Sequence, residues 1–200
     1  MAEGPPSRQT PRRVGPDEGS VTVFLADERG EHSGEPPIDA SRWIALAERV
    51  LAEEGVRGEA ALWVLVVDET TMAQLNQQFM GASGPTDVLA FPIDFADAAR
   101  LEPGRAPDGG GEGPSRPERS PDDVPLMLGD VVICPAVAAR NAPEHAGSVD
   151  DELALLLVHG ILHLLGYDHA ADEERETMQA RERELLERFH GGLGRDPWGP

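Results

Sequence analysis

The sequence predicts a single α/β domain in which one small mixed sheet packs against helices. Short apolar runs typical of strands alternate along the chain with longer segments of helical periodicity. The length of 200 residues suits one domain, and a hydrophobic content of 40% is sufficient for a packed core. The longest helical segment is apolar nearly all round, so we expect it to lie buried within that core.

Two segments rich in proline and glycine are expected to lie outside the ordered core. Residues 1–20 contain four prolines and three glycines without apolar periodicity, which predicts a disordered leader. Residues 103–125 contain six prolines and five glycines, which predicts a flexible insertion. We therefore assign the domain to residues 21–190, with the insertion inside it, and residues 191–200 to a frayed tail.

The first half of the chain is predicted to hold three strands and two helices. Strands are recognised as apolar runs, and helices as apolar residues spaced three or four positions apart. In the first helix, Trp43, Leu46 and Val50 share one face, and Gly55 provides a stop signal. The predicted strands are 21–26, 61–67 and 88–91, and the predicted helices are 40–54 and 70–79.

The second half is predicted to hold one strand and three helices. The predicted strand is 128–134, and the predicted helices are 136–141, 148–165 and 172–189. The helix at 148–165 begins with a serine N-cap and three acidic residues, and Gly166 ends it. The last helix is expected to turn Met178, Leu185 and Phe189 towards the core.

Composition and charge limit the classes of function. The chain carries 17 basic and 37 acidic residues, for a net charge of −20, which is poorly suited to coating nucleic acid broadly. This charge does not exclude a small local RNA site. The single cysteine, Cys134, excludes an intrachain disulfide and fits a reducing compartment. With no visible signal peptide or membrane span, we expect a cytoplasmic protein without membrane contact.

One stretch of the sequence carries a metal-binding pattern. His159 and His163 are four residues apart on the predicted long helix, so both imidazoles project from the same face. Gly166 can adopt a positive φ and turn the chain, which would bring His169 to the same ion. Three imidazoles fit zinc and leave a fourth position for water or substrate. We therefore predict one Zn²⁺ per chain on these three histidines.

The histidines have two other interpretations. Helix histidines can be core residues bonded to backbone, although two in one apolar helix would both need such partners. The spacing also matches metzincin proteases, which carry a glutamate general base directly after the first histidine. That position is Gly160 here, so a protease of that mechanism would lack its base. The other histidines, His32, His145 and His190, are interpreted as ordinary surface residues.

Two neighbours of the third histidine have open roles. Asp168 is a weak candidate for the general base, and it is also suited to orienting a ligand or capping a helix. Tyr167 is either a hydrogen-bond donor to substrate or a packing residue. The residue types and spacing do not decide between these roles.

Three motifs in this order resemble the YbeY family of bacterial endoribonucleases that mature rRNA. Residues 159–169 read HGILHLLGYDH, which is similar to the signature of that family. Residues 84–92 read GPTDVLAFP and resemble its T-[DN]-V-L-S-F-P segment. Residues 128–134 read LGDVVIC and resemble its L-G-D-[IV]-x-I-[CS] strand. The resemblance covers roughly residues 21–189.

The resemblance implies metal-dependent cleavage of single-stranded RNA, with zinc on His159, His163 and His169. It further implies roles in 16S rRNA 3′-end processing and ribosome quality control. The implied partners are single-stranded rRNA and ribosomal small-subunit proteins or assembly factors, for which the acidic last helix is a candidate docking surface. Thr86 and Asp87 are candidates for substrate contact at the rim, although Asp87 is equally suited to capping a turn.

Two departures from the family pattern keep other functions open. Met80 stands where many members have an arginine thought to contact RNA phosphate, and Ala90 replaces a serine. The arginines that could substitute, or simply be surface charges, are Arg42, Arg57 and Arg140. A ribosome-assembly factor with structural zinc and little hydrolysis is the second candidate, and a metallohydrolase for another substrate such as a peptide is the third. A basic rim around the histidines would favour RNA.

Overall fold

The computed structural model describes residues 21–30, 38–93 and 126–199. The predicted leader at 1–20, the predicted insertion at 103–125 and His32 lie outside the described residues. No helix within the described ranges combines the length and the apolar character needed to cross a membrane.

The described residues contain strands and helices at every position where the sequence predicts them. Boundaries are shifted by one or two residues, except in α2, where α-helical bonding ends early and a π-helical turn, Asn76–Met80, follows. The elements are β1 Val21–Asp27, α1 Ala40–Glu53, β2 Ala60–Val66, α2 Glu69–Leu75, β3 Val88–Pro92, β4 Leu126–Ile133, α3 Pro135–Asn141, α4 Val149–Leu164 and α5 Asp172–Phe189.

The four strands form one mixed sheet in the order β1-β2-β4-β3, which confirms the predicted fold class. Strands β1, β2 and β4 are parallel, and β3 runs antiparallel to β4. A bulge shifts the β2–β4 register, so that Ala61 pairs with Met127 and Leu62 pairs with Gly129. A Cβ on Gly129 would lie 2.3 Å from the Phe91 carbonyl oxygen, so this glycine allows β3 to approach β4.

Helix α4 lies buried against the sheet, as its apolar sequence predicts. Ile161 and Leu162 are fully buried, and the helix also contacts α1, α3 and α5. Gly160 faces β4, and a Cβ there would lie 2.6 Å from Cγ1 of Val131. Close packing of α4 on β4 therefore leaves no room for a side chain at the position where a metzincin protease carries its glutamate.

The residues after α5 fold back onto the domain, although the sequence predicted a frayed tail. The Gly194 amide donates to Asp151 at 3.2 Å, and the Arg195 amide donates to the Ala146 carbonyl at 2.9 Å. Trp198 Nε1 donates to Glu182 on α5 at 2.8 Å. These partners are far apart in sequence, so short-range patterns do not reveal them.

Candidate metal centre

The three histidines of the motif converge at the end of α4. His159 and His163 lie on the helix, and His169 lies on the loop that follows it. The Nε2 atoms of His159 and His163 are 3.1 Å apart, and one ring nitrogen from each of the three lies within 4.8 Å of the others. Nitrogen ligands about 2.0–2.1 Å from a tetrahedral ion are about 3.3 Å apart. This arrangement fits a single small divalent ion.

The chain turns after α4 in the way that the sequence predicted. Gly166 has φ +91°, a conformation that residues with a Cβ rarely adopt. The Tyr167 amide donates to the Leu162 carbonyl at 3.0 Å, and the Gly166 amide donates to the His163 carbonyl at 3.1 Å. This pair of hydrogen bonds is a Schellman motif. The turn carries His169 back to the histidines on the helix.

A buried carboxylate orients His159. Nδ1 of His159 lies 2.7 Å from Oε1 of Glu182, which is only 3% exposed. The second oxygen of Glu182 accepts the hydrogen bond from Trp198 Nε1. Because the carboxylate accepts at Nδ1, the proton is assigned to that nitrogen and Nε2 is left with a lone pair for a metal. Neither Glu182 nor Trp198 was predicted; the one signal was an acidic residue on the inward face of the last helix.

His163 is oriented by the loop that it precedes. Its Nδ1 donates to the Tyr167 carbonyl at 3.0 Å. The Tyr167 hydroxyl donates to Glu54 at 3.1 Å, and Arg181 donates to the other Glu54 oxygen at 2.6 Å. Tyr167 therefore anchors the loop to α1 and α5. Burial and then the nearby Glu54 carboxylate raise the pKa of Tyr167 to about 12.

The environment of His163 favours its neutral form. Burial is the largest cause that lowers its pKa, followed by the neighbouring imidazoles of His159 and His169. A neutral imidazole is the form that binds a metal ion. The electrostatics of the site therefore agree with its geometry.

Asp168 shapes the loop that carries the third histidine. Its Oδ1 accepts a hydrogen bond from the backbone amide of His169 at 2.7 Å, and both residues are exposed. A short carboxylate-to-backbone contact of this kind stabilises a turn. Of the open roles for Asp168, this contact supports orientation of the ligand over proton transfer.

Asp87, a candidate for substrate contact, lines the same cavity as His159 and His169. Its two oxygens are already engaged. Oδ1 accepts from the Val88 amide at 2.9 Å and from the Thr86 hydroxyl at 3.2 Å, and Oδ2 accepts from Asn141 at 3.0 Å. These hydrogen bonds hold the turn before β3, so they match the capping role left open for Asp87.

The cavity beside the three histidines has a volume of about 300 Å³ and a mixed rim. Its charged residues include the carboxylates of Asp87 and Glu182 and the guanidinium of Arg175, which pairs with Asp172 at 2.6 Å. Apolar side chains line much of the rest. The lining residues are Asp87, Val88, His145, Leu155, Leu156, His159, His169, Arg175, Met178, Gln179, Glu182, Pro197 and Trp198. The rim is therefore not the basic one that would by itself favour RNA.

The three arginines suggested as substitutes at the Met80 position have structural partners elsewhere. Arg42 binds Asp150 through two hydrogen bonds of 2.7 and 2.5 Å, and Arg140 pairs with Glu69. Arg57 donates to the carbonyls of Ala52 and Val56. None of them lines the cavity, where the described arginine is Arg175. Met80 itself is 54% exposed.

Two histidines interpreted as ordinary surface residues have carboxylate partners. The His190 side chain is 5% exposed, and its Nε2 lies 2.8 Å from Asp151 at the start of α4. His145 lines the cavity beside the metal ligands, and its Nδ1 lies 2.9 Å from both oxygens of Glu152. Glu152 is fully buried. Neither pair has a signal in the sequence, because each depends on how α4 packs.

The sequence comparisons with known proteins agree on one family. The profile of the Endoribonuclease YbeY family matches residues 30–190. Endoribonuclease YbeY from Rhodococcus erythropolis is 41% identical over 175 residues, which cover 88% of this chain and 86% of that protein. The protein of the same name from Acidothermus cellulolyticus is 46% identical, over 83% of this chain and 90% of its own. The solution structure of TM1509 from Thermotoga maritima aligns with 86% of this chain and 92% of its own, at 24% identity and a TM-score of 0.46.

Proposed function

The chain belongs to the endoribonuclease YbeY family, and on that premise we propose that it is a zinc-dependent enzyme cleaving single-stranded RNA. Its function is that of an endoribonuclease in rRNA processing. The observation that carries the zinc proposal is the convergence of three histidine nitrogens within 4.8 Å of one another. Two of these histidines, His159 and His169, line a cavity. A site of three imidazoles has an open position for substrate, as catalytic zinc sites do.

The residues that would hold the ion are His159, His163 and His169. When bound, zinc would polarise a phosphoryl oxygen and lower the pKa of a water molecule. The chain contributes the orientation of the ligands. Glu182 and the Tyr167 carbonyl accept from Nδ1 of the two helix histidines, which directs both Nε2 lone pairs to the same point.

The cavity supports an RNA strand bound locally. Its volume of about 300 Å³ and its partly apolar lining suit one unpaired nucleotide. With a net charge of −20, the protein would gain little from long-range attraction to phosphates, so local contacts would have to position the strand. Among the described residues that line the cavity, Arg175 is the cation suited to a phosphate contact.

We propose a cellular role in line with the family. We place the enzyme in the cytoplasm, in 16S rRNA 3′-end processing and ribosome quality control. Its partners would be single-stranded rRNA and ribosomal small-subunit proteins or assembly factors. Acidic side chains are exposed along α5, including Glu173, Glu176 and Glu187, and they offer a docking surface to a basic ribosomal protein.

The two alternative functions have less support. An assembly factor with structural zinc is not favoured, because the relatives of this chain are named endoribonucleases. A peptide hydrolase of the metzincin type would need a general base at Gly160, where Val131 occupies the space.

The proposal is tested by zinc content and RNA cleavage measured on the same preparations. The native protein should contain about one zinc per chain and cut a single-stranded rRNA fragment in preference to the same sequence in a duplex. His163→Ala should lose both properties. Arg49→Ala, on the exposed face of α1, is the control and should keep both. Native protein without zinc would contradict the metal site, and zinc without cleavage would favour the assembly factor.

A further inference from the structure

Among the described residues, the metal site has ligands but no assigned general base. We propose that His145, held by the buried carboxylate of Glu152, is that base and takes the proton of the attacking water. This inference rests on the proposed endoribonuclease function. It concerns a histidine that lies outside the HGILHLLGYDH motif.

Glu152 fixes His145 in the form that a base requires. The Glu152 side chain is fully buried, and both of its oxygens lie 2.9 Å from Nδ1 of His145. One of these oxygens also accepts from the Ala146 amide at 3.2 Å. A carboxylate removed from water needs donors at its oxygens, so the proton of the imidazole is assigned to Nδ1. Nε2 is then left with the lone pair that accepts a proton.

The side chain of His145 is open to solvent and lies in the cavity lining. The side chain is 44% exposed and lines the cavity together with His159 and His169. Among the described residues, Nε2 makes no hydrogen bond, whereas Nδ1 is held by Glu152. His190 shows the contrast, because its Nε2 is bonded to Asp151 and its side chain is 5% exposed. His145 is therefore oriented at one nitrogen and available at the other.

The other titratable groups of the cavity are engaged. Asp87 accepts hydrogen bonds at both oxygens, and Glu182 does so from His159 and Trp198. Arg175 is a permanent cation and cannot accept a proton. The titratable groups that line the cavity are Asp87, His145, His159, His169, Arg175 and Glu182. With two of these histidines assigned to the metal, His145 is the remaining acceptor.

The proposed step follows the chemistry of a carboxylate–histidine pair. Nε2 of His145 removes a proton from water, and the oxygen electron pair of that water forms a new bond to phosphorus. The bond from phosphorus to the leaving ribose oxygen breaks, and its electron pair departs with that oxygen. The oxygen then takes the proton from Nε2, which regenerates neutral His145. Glu152 stays ionised throughout and stabilises the imidazolium that forms in between.

His145→Ala provides the main test on the zinc-loaded protein. A positioned general base contributes about 10²–10⁴-fold, so we expect kcat to fall by about 100-fold or more. KM and zinc content should stay close to those of the native protein, whereas the melting temperature should fall, because the buried Glu152 carboxylate loses a hydrogen-bond donor. Added imidazole should restore part of kcat in His145→Ala, because a free imidazole can occupy the vacated space. Imidazole should restore nothing in His163→Ala, which lacks a metal ligand.

Glu152→Gln is the second variant and keeps the shape of the buried side chain. The amide cannot stabilise an imidazolium by charge, so kcat should fall while zinc content is unchanged, and imidazole should not restore it. His145→Ala leaves the Glu152 side chain in place, and rescue of its kcat by imidazole distinguishes loss of the base from loss of the fold. It therefore tests the proposal even if Glu152→Gln fails to fold. The native enzyme should also cut a strand that carries 2′-deoxyribose at the cut site. Loss of that cleavage would overturn the step as written.

The outcomes separate this proposal from the proposed function. If the native protein binds zinc but cuts no RNA, both fall together. If the native protein cuts RNA and His145→Ala cuts it within about twofold of the native rate, the base assignment alone is overturned. A fall in kcat that runs in parallel with loss of zinc would also overturn it, since His145 would then act on the metal site.

Discussion

Two buried carboxylates each hold one histidine through Nδ1, but the two pairs have different surroundings. Glu182 on α5 holds His159 at 2.7 Å, and Glu152 on α4 holds His145 at 2.9 Å. Both histidines line one cavity. Nε2 of His159 faces other imidazoles, with His163 Nε2 at 3.1 Å, whereas Nε2 of His145 has no hydrogen-bond partner among the described residues. A carboxylate–histidine pair therefore suits a metal ligand at His159 and a general base at His145.

The pairs also differ in the second hydrogen-bond donor to the carboxylate. The second donor to Glu152 is the amide of Ala146, next to His145 in the chain. The second donor to Glu182 is Trp198, which lies in the segment after α5. The second donor to Glu152 is therefore the residue next to its own histidine, whereas the second donor to Glu182 comes from the C-terminal segment. The variants below are chosen to separate the two pairs.

His159→Ala should have the largest effect of these variants. It removes one of three nitrogen ligands. Loss of a residue that only orients a ligand typically lowers metal affinity by roughly 10–100-fold, so zinc affinity should fall by more than that. Competition with a chelator of known affinity measures the change. His145→Ala is the matched control and should bind zinc as the native protein does. Equal losses in the two variants would remove the distinction between ligand and base.

Glu182→Gln should have the next largest effect. The amide no longer provides the charge that orients Nδ1–H of His159, so zinc affinity should fall by about 10–100-fold. Glu152→Gln, measured in the same chelator competition, should leave zinc affinity unchanged. If Glu152→Gln weakened zinc binding as strongly, the two carboxylates would support one common site.

Trp198→Phe should have a smaller effect. It removes the Nε1 donor and leaves a buried Glu182 oxygen without that hydrogen bond, which should cost about 1–3 kcal/mol of unfolding free energy. Urea denaturation measures the loss, and zinc affinity should fall less than in Glu182→Gln. Trp63→Phe is the control, since Trp63 is exposed on the sheet and stacks on Phe24. Equal losses in the two variants would argue against a role for the C-terminal segment.

The pH dependence of the zinc-free protein should show the smallest effect. The pKa of His163 is lowered from 6.5 in the folded protein, chiefly by burial, so the unfolded chain binds its proton at higher pH. The contribution of His163 to the free energy of unfolding should therefore decrease as pH falls below about 6.5. Urea denaturation between about pH 7.5 and about pH 5.5 should show a weaker pH dependence in His163→Gln than in the native protein. An unchanged dependence would contradict the assigned shift.

Sequence patterns over a few residues predicted the helices, strands and turns that depend on interactions between neighbouring residues. The serine cap and apolar content of α4 gave its boundaries and burial, and Gly166 gave the turn that brings His169 back. The π-helical turn at Asn76–Met80 had no such signal, because its residues also fit an ordinary helix.

Contacts between residues far apart in the sequence could not be predicted from such patterns. Glu182 is separated from His159 by 23 positions, and the two meet only because α5 packs on α4. Trp198 reaches Glu182 because the segment after α5 returns to the domain. The metal ligands could therefore be predicted from the spacing of the histidines, whereas the groups that orient them depend on tertiary packing.

The most direct test of the division between ligand and base compares His145→Ala and His159→Ala side by side. Zinc affinity and the rate of single-stranded RNA cleavage are measured for both variants and for the native protein. We expect His159→Ala to lose zinc and cleavage together, and His145→Ala to keep zinc while cleavage falls by about 100-fold or more. Native cleavage by His145→Ala, or zinc loss in both variants, would contradict the account.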